Sequence, residues 1–212
     1  MRAYYVTIPL SIAFAGAGVF LAWSAKGNTA IPAISPVHPV SAEMEARARA
    51  KSAKKAPLFE LSDSSGRDRK LSEFLSKPTL LYFIKDGCPC SIEAEPMIQA
   101  LYGHLKGQAN FVGIIGSPAK IGKEWENTHG SPYPVLSDET FATMRAYESP
   151  NSVYLTLIGT DGLIVKQWAG WSAKMLTEAN VLIAQESGQP EKPFDTQYAP
   201  KADSSGCFFY SK

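Results

Sequence analysis

Cysteine is scarce in this chain: three in 212 residues, Cys88, Cys90 and Cys207. That is too few for a disulfide-stapled scaffold, and an odd number leaves at least one thiol outside any intramolecular bridge. No C-x-x-C pair occurs, which removes zinc ribbons and c-type haem attachment. Neither sign of charge dominates, since 21 Lys+Arg stand against 20 Asp+Glu for a formal net charge of +1. The basic excess of a nucleic-acid binder is therefore missing. Histidine is equally sparse, with His38, His104 and His129. There is no Ser-His-Asp arrangement, no phosphate loop and no internal repeat. What is present is a globular composition, 45% hydrophobic and 19% charged. Such a chain buries one core and is too apolar to be wholly disordered.

The N-terminus is the exception to that even texture. No charged side chain lies between Arg2 and Lys26. A helix of about 22 residues spans roughly 33 Å, enough for the hydrocarbon core of a bilayer. Tyr4, Tyr5 and Trp23 flank the stretch as interfacial aromatics do, so membrane contact is expected through residues 3–25. A cleaved signal peptide is the competing reading, with Ala22-Trp23-Ser24 as a passable cleavage site. Either way the expected location of the rest is extracytoplasmic: membrane-anchored (periplasm or cell surface in a bacterium), or secreted after cleavage. Residues 1–25 thus read as anchor or signal sequence and 26–55 as a spacer. The spacer is Pro-rich to residue 40, then a polar helix that Ser41 could cap.

Residues 56–188 have the pattern of a packed α/β domain. A short strand at residues 58–61 precedes a turn, and residues 77–84 (Lys-Pro-Thr-Leu-Leu-Tyr-Phe-Ile) predict a buried central strand. A helix follows from the Cys88 region to about Gly107. Then come a strand at 110–115, helices at 119–128 and 139–147 around a Pro-rich loop, a hairpin over 153–168 and a closing helix at 172–186. This order implies a mixed central sheet with helices on both faces. Residues 189–212 form a tail carrying Cys207. Trp168 and Trp171 read as packing residues, and Glu93 and Glu95 as a solvated pair on the helix after Cys88.

The cysteines carry the chemistry. A thiol at the C-terminal end of a buried strand, just before a helix, faces unpaired N–H groups and the positive end of the helix dipole. That setting stabilises thiolate and makes Cys88 a candidate nucleophile at neutral pH. Pro89 suits the first helical turn, where its missing N–H costs nothing. A Cys88–Cys90 disulfide would close a very short, strained loop across Pro89. Cys207, in a tail with Phe208, Phe209 and Tyr210, is a candidate to resolve a mixed disulfide or sulfenic acid on Cys88. Cys90 remains the other candidate for that role. A soft C-P-C pair could instead bind copper, but no histidine carries a supporting motif.

The sequence resembles the redoxin, or AhpC/TSA, branch of the thioredoxin superfamily, which includes membrane-anchored TlpA-like thiol-disulfide oxidoreductases. The similarity rests on Ala56-Pro-Leu-Phe-Glu-Leu61, Gly66, Leu71-Ser-Glu-Phe74, Lys77-Pro-Thr-Leu-Leu-Tyr-Phe83 running to Cys88, Pro96, Asp161-Gly162 and Trp168-Ala-Gly-Trp171. Relatives run K-P-V-L-L-N-F-W-A-T-W-C-x-x-C-R-x-E-x-P. In that register Cys88 falls on the attacking cysteine and Pro96 on the later proline without a gap. Ser91 takes the place of the second cysteine, and Cys90 stands one residue early. Val153 falls where many relatives have a cis-proline. The peroxidase motif P-x-x-x-T-x-x-C is also incomplete, with Leu81 and Lys85 at its Pro and Thr positions.

The resemblance implies a thioredoxin-like α/β fold and a thiol-dependent oxidoreductase, with Cys88 attacking and Cys90 or Cys207 resolving. Expected substrates are a protein disulfide or dithiol, with peroxide as the alternative. The electron donor is unspecified, and no cofactor, resident metal or nucleic acid is expected. A copper-binding or non-catalytic docking domain is the reading from another class.

Overall fold

The computed structural model describes residues 38–210. The apolar stretch at residues 3–25, with its expected membrane helix, lies outside the described residues. Among those described, no helix is long and apolar enough to cross a membrane.

Seven strands form one mixed sheet: β1 (Glu60–Asp63), β2 (Asp68–Lys70), β3 (Thr79–Ile84), β4 (Asn110–Ile115), β5 (Val135–Ser137), β6 (Tyr154–Ile158) and β7 (Ile164–Trp168). Their spatial order is β2-β1-β5-β4-β3-β6-β7. The centre is parallel, β3 against β4 and β4 against β5, while β6 and β1 join it antiparallel on either side. Among the described residues, a short 3-10 turn (Leu71–Glu73) and five α-helices complete the chain order: α1 (Ala42–Arg49), α2 (Pro89–His104), α3 (Ala119–His129), α4 (Ala142–Ala146) and α5 (Ala173–Ser187).

β3 is central because all six of its residues are buried and β-prone, so neither face needs water. Side chains alternate across a strand. Leu80, Tyr82 and Ile84 therefore enter the core that also holds Ile98, Leu101, Leu155 and Leu176. Leu81 and Phe83 enter the opposite core, with Val112, Ile114, Leu136 and Met144. Each fully buried side chain of this size contributes about 1.5–3 kcal/mol. Trp168 and Trp171 are buried as packing residues, and the Trp168 indole N–H donates to Glu178 Oε2 at 2.9 Å.

Several local readings shift. β2 escapes sequence reading because Asp-Arg-Lys has no apolar alternation, and it forms by pairing with β1 in register Glu60↔Lys70. The first strand starts at Glu60, leaving Leu58 exposed. Helix α4 keeps only Ala142–Ala146, preceded by Phe141 at φ +59. Helix α1 is capped as its sequence suggests, Met44 N–H donating to Ser41 Oγ at 3.2 Å, a cap worth about 1 kcal/mol. It is not solvated all round, because Ala48 is buried in the core.

After α5 the chain returns to the head of α2. Residues 203–205 meet residues 38–40: Val40 N–H donates to Asp203 O at 3.2 Å and Ser205 N–H to His38 O at 2.7 Å. Ser204 also exchanges bonds with Trp171 at 2.8 and 3.1 Å. Phe209 is then buried in the second core. This strap is secured on both sides of Cys207.

Candidate active site

The end of β3 and the start of α2 are joined by Lys85, Asp86 and Gly87, with Gly87 at φ +66, a turn conformation that suits a residue without Cβ. Cys88 is the N-cap of α2 and Pro89 opens the helix, so the sulfur sits at the positive end of a 16-residue dipole. Cys88 is only 2% exposed, and the strap covers it.

Three segments converge on Cys88 Sγ. Cys207 Sγ lies 3.0 Å away, and Cys207 N–H donates to Cys88 Sγ at 3.4 Å. Ser152 Oγ lies at 3.3 Å. Burial pushes the Cys88 thiol up, but hydrogen bonds from Ser152, the Cys207 thiol and amide, and the Ser91 amide bring it down to about 7. Burial, a hydrogen bond to Cys88 and its charge push the Cys207 thiol above its ordinary range, with Lys85 opposing. Cys88 is thus the anion of the pair and Cys207 the proton donor. Cys90, in the first turn of α2, is buried beside them. Burial, the Cys88 charge and a hydrogen bond to Cys88 push it up to about 12. It holds its proton at neutral pH. All three cysteines are free thiols in this state.

The strap can approach so closely because residue 206 is glycine. A Cβ there would meet Ser152 Oγ at 2.0 Å, Cys90 Cβ at 3.1 Å and Cys88 Sγ at 3.3 Å. Backbone pairing fixes the approach: Ser152 N–H donates to Cys207 O at 2.9 Å and Gly206 N–H to Ser152 O at 3.1 Å. Asn151 Nδ2 donates to Gly206 O at 3.1 Å. The Lys85 ammonium donates to Phe208 O. Lys85 therefore faces the strap.

Val153, aligned with the relatives' cis-proline, is fully buried at φ +58. A β-branched residue is strained there. Its N–H donates to Phe83 O at 2.9 Å, a bond proline cannot make. No cis peptide bond occurs among the described residues.

Two neighbours of the sulfurs, Ser152 and His38, and the environment of Glu95 are not signalled by any motif. His38 Nε2 lies 4.0 Å from Cys207 Sγ. Glu95 is not solvated: at 1% exposure its Oε1 accepts from Ser131 Oγ (2.6 Å), Tyr133 OH (2.8 Å) and Gln99 Nε2 (3.1 Å). Helical spacing could have found it, since Glu95 shares a face with the buried Ser91, Ala94 and Ile98. Glu93 is exposed as read. His104 contacts Lys192 O and Phe194, and His129 stacks on Trp125, both away from the thiols. Among the described residues, no three or more His, Cys, Asp or Glu side chains are placed to hold a metal ion.

A mixed sheet with helices on both faces, and a cysteine heading the helix after its central strand, defines a thioredoxin-like domain. The AhpC/TSA family pattern matches residues 53–174. The chain belongs to that family. It is 28% identical over 126 residues to chloroplastic peroxiredoxin Q of Suaeda salsa, covering 58% of this chain and 59% of that protein. It is 30% identical over 118 residues to the thiol-disulfide oxidoreductase ResA of Bacillus subtilis (strain 168), covering 54% and 65%. The chain thus spans less than two thirds of either relative's length. Peroxidoxin BcpB from Mycobacterium tuberculosis has a similar fold, with TM-score 0.56 and 22% identity over 65% of this chain and 97% of that one.

Proposed function

We propose that this chain is a thiol-dependent peroxidase of redoxin type, in which Cys88 is the attacking thiolate and Cys207 the resolving thiol. The observation that carries this reading is the sulfur pair: a thiol lowered to about 7 with a second sulfur 3.0 Å away. The Cys88 thiolate attacks the peroxide O–O bond, leaving a sulfenic acid on Cys88 and releasing an alcohol or water. Cys207 then displaces the hydroxyl to form a Cys88–Cys207 disulfide, which an external dithiol reduces. Cys90 keeps its proton and serves as a donor to the thiolate. The 2% exposure of Cys88 favours a small oxidant over a bulky protein disulfide. Ser152 Oγ and Cys207 N–H supply polar groups at the sulfur, where the peroxidase motif's threonine is replaced by Lys85.

Thiol–disulfide exchange is the second reading, favoured by Leu81 and Lys85 at the motif's Pro and Thr positions. One set of measurements separates the two. Purified protein and its Cys88→Ser, Cys90→Ser and Cys207→Ser variants are compared for hydrogen peroxide consumption and for reduction of a protein disulfide such as insulin. Peroxide turnover that depends on Cys88 supports the peroxidase, and insulin reduction alone supports exchange. If Cys88→Ser alters neither rate, both readings are wrong.

For location, we propose that the uncharged stretch at residues 3–25 anchors the domain in a membrane, on the extracytoplasmic side. A reporter fused after residue 30 should report from outside the cytoplasm, and a cytoplasmic signal would overturn that placement.

A further inference from the structure

The peroxidase reading leaves one proton without a destination. Cys207 reacts as thiolate, yet its thiol is held above its ordinary range by burial, a hydrogen bond to Cys88 and the Cys88 charge, and the burial remains after Cys88 is oxidised. Something must take its proton when Cys88 is no longer an anion. Among the described residues, the titratable and charged groups around the sulfurs are Tyr82 on β3, Cys90 and Glu93 on α2, Lys85 after β3, and His38. Cys90 keeps its own proton, burial keeps the Tyr82 hydroxyl protonated and donating to Ser91 O, Lys85 donates to the strap, and Glu93 is exposed to solvent. Among the described residues, that leaves the imidazole of His38, whose Nε2 contacts Cys207 Sγ at 4.0 Å and whose ring can accept a proton and return it.

His38 is also built into the strap. Its carbonyl accepts from Ser205 N–H at 2.7 Å, and Val40 N–H donates to Asp203 O at 3.2 Å. Pro39 bridges Ser204, while the Asp203 carboxylate is engaged by Ser172 Oγ at 2.6 Å. The imidazole and Cys207 are therefore held on two paired segments and keep their spacing if the strap shifts. Backbone pairing does this, so replacing the His38 side chain leaves the ladder in place.

We propose that His38 is the proton acceptor for Cys207 in disulfide closure. This assignment rests on the thiol peroxidase reading. With Cys88 as sulfenic acid, formed at the expense of a peroxide, Cys207 passes its proton to His38 Nε2 and its sulfur attacks Cys88 Sγ. The S–S bond forms and the Cys88 S–O bond breaks. The Cys207 sulfur is oxidised and the Cys88 sulfur reduced. The departing hydroxide takes the proton from His38 and leaves as water. The imidazole returns to its starting form.

The test uses the full chain, reduced and mixed with hydrogen peroxide, across about pH 5.5 to 9. A dimedone trap reads the sulfenic acid and quenched alkylation with mass spectrometry reads the Cys88–Cys207 disulfide. Wild type is compared with His38→Gln, which keeps a hydrogen-bonding side chain without the basicity, and with His38→Ala. Both variants should form sulfenic acid at the wild-type rate. Disulfide closure should slow by about tenfold or more near pH 7. The deficit should shrink as pH rises and Cys207 ionises unaided, and added imidazole should speed closure in His38→Ala.

Closure in His38→Gln with the wild-type rate and pH profile would overturn the assignment. A deficit unchanged at pH 9 and untouched by imidazole would also overturn it, reducing His38 to a structural role. If wild-type Cys88 forms no sulfenic acid, the functional reading fails first and this assignment with it.

Discussion

Cys88 has two sulfur-bearing neighbours. Cys90 is two residues away, on the same helical turn; Cys207 is 119 residues away, on the strap. The near neighbour is held at about 12 by burial and the Cys88 charge, and so serves as a donor. The far one touches Cys88 sulfur to sulfur and brings its own backbone N–H to the thiolate. Proximity along the chain thus gives a solvating group, and proximity through the fold gives the sulfur proposed as the reaction partner. The difference has a geometric cause. Pro89 and the first helical turn fix Cys90 by local backbone geometry, whereas isolated backbone bridges at Ser204 and Phe208, on either side of Cys207, aim it across the helix end.

The sharpest way to break this comparison is to remove the sulfurs. Cys88→Ser should reduce peroxide turnover by at least about 1,000-fold, measured as peroxide consumed in the presence of dithiothreitol. Cys207→Ser should leave the first oxidation intact and reduce steady turnover by about 100-fold. Mass spectrometry should then find Cys88 as sulfenic or sulfinic acid. If Cys90 were the resolving thiol, Cys207→Ser would turn over normally.

Gly206→Ala probes the aim of the strap without touching a sulfur. The added Cβ collides with the Ser152 hydroxyl, 2.0 Å away, and should lift the strap. Alkylation of Cys88 by iodoacetamide should accelerate while disulfide closure slows by about tenfold.

The two sulfurs should also differ in their response to pH. Alkylation of Cys88 should rise with a midpoint near its value of about 7. Ser152→Ala, which removes one bond to the thiolate, should move that midpoint up by about one pH unit. Stability carries the same sign. The Cys88 value is lowered on folding from the model-compound 9.0. Its contribution is therefore complete above pH 9 and is lost as pH falls through about 7. Cys90 is raised on folding to about 12, so it weakens the fold as pH climbs past 9. Denaturation of the reduced protein across pH 6 to 11 should show both limbs. Smallest of all, Cys90→Ser should change turnover by less than about threefold.

Much of this arrangement is legible in the sequence because its causes are local. The apolar run of β3 and the placement of Cys88 and Pro89 at a strand-to-helix turn follow from short-range rules, and so does Ser41 as a cap. Cys207 in an aromatic-rich tail could be singled out, but nothing local says that Gly206 lets it reach Cys88, because the Cβ-sized gap belongs to Ser152. Ser152 itself looks like any loop serine until the strap pairs with it. The burial of Glu95 is legible from its helix face, but its partners Ser131 and Tyr133, 36 and 38 residues further on, are not. β2 was invisible because three polar residues become a strand only beside β1. Long-range pairing is what sequence periodicity does not encode.

The strap has a consequence in time as well as in space. On the ribosome, Cys88 emerges 119 residues before Cys207, and His38 precedes Cys207 by 169. Until residues 203–209 are made, the head of α2 has neither its cover nor the second sulfur, and residues 38–40 lack their backbone partners. A nascent chain would carry Cys88 unshielded, able to trap itself in mixed disulfides with small thiols. Synthesis of residues 203–209 is then the event that converts an exposed thiol into a guarded one, and it could be read from whether Cys88 is alkylated on chains stalled before or after that segment.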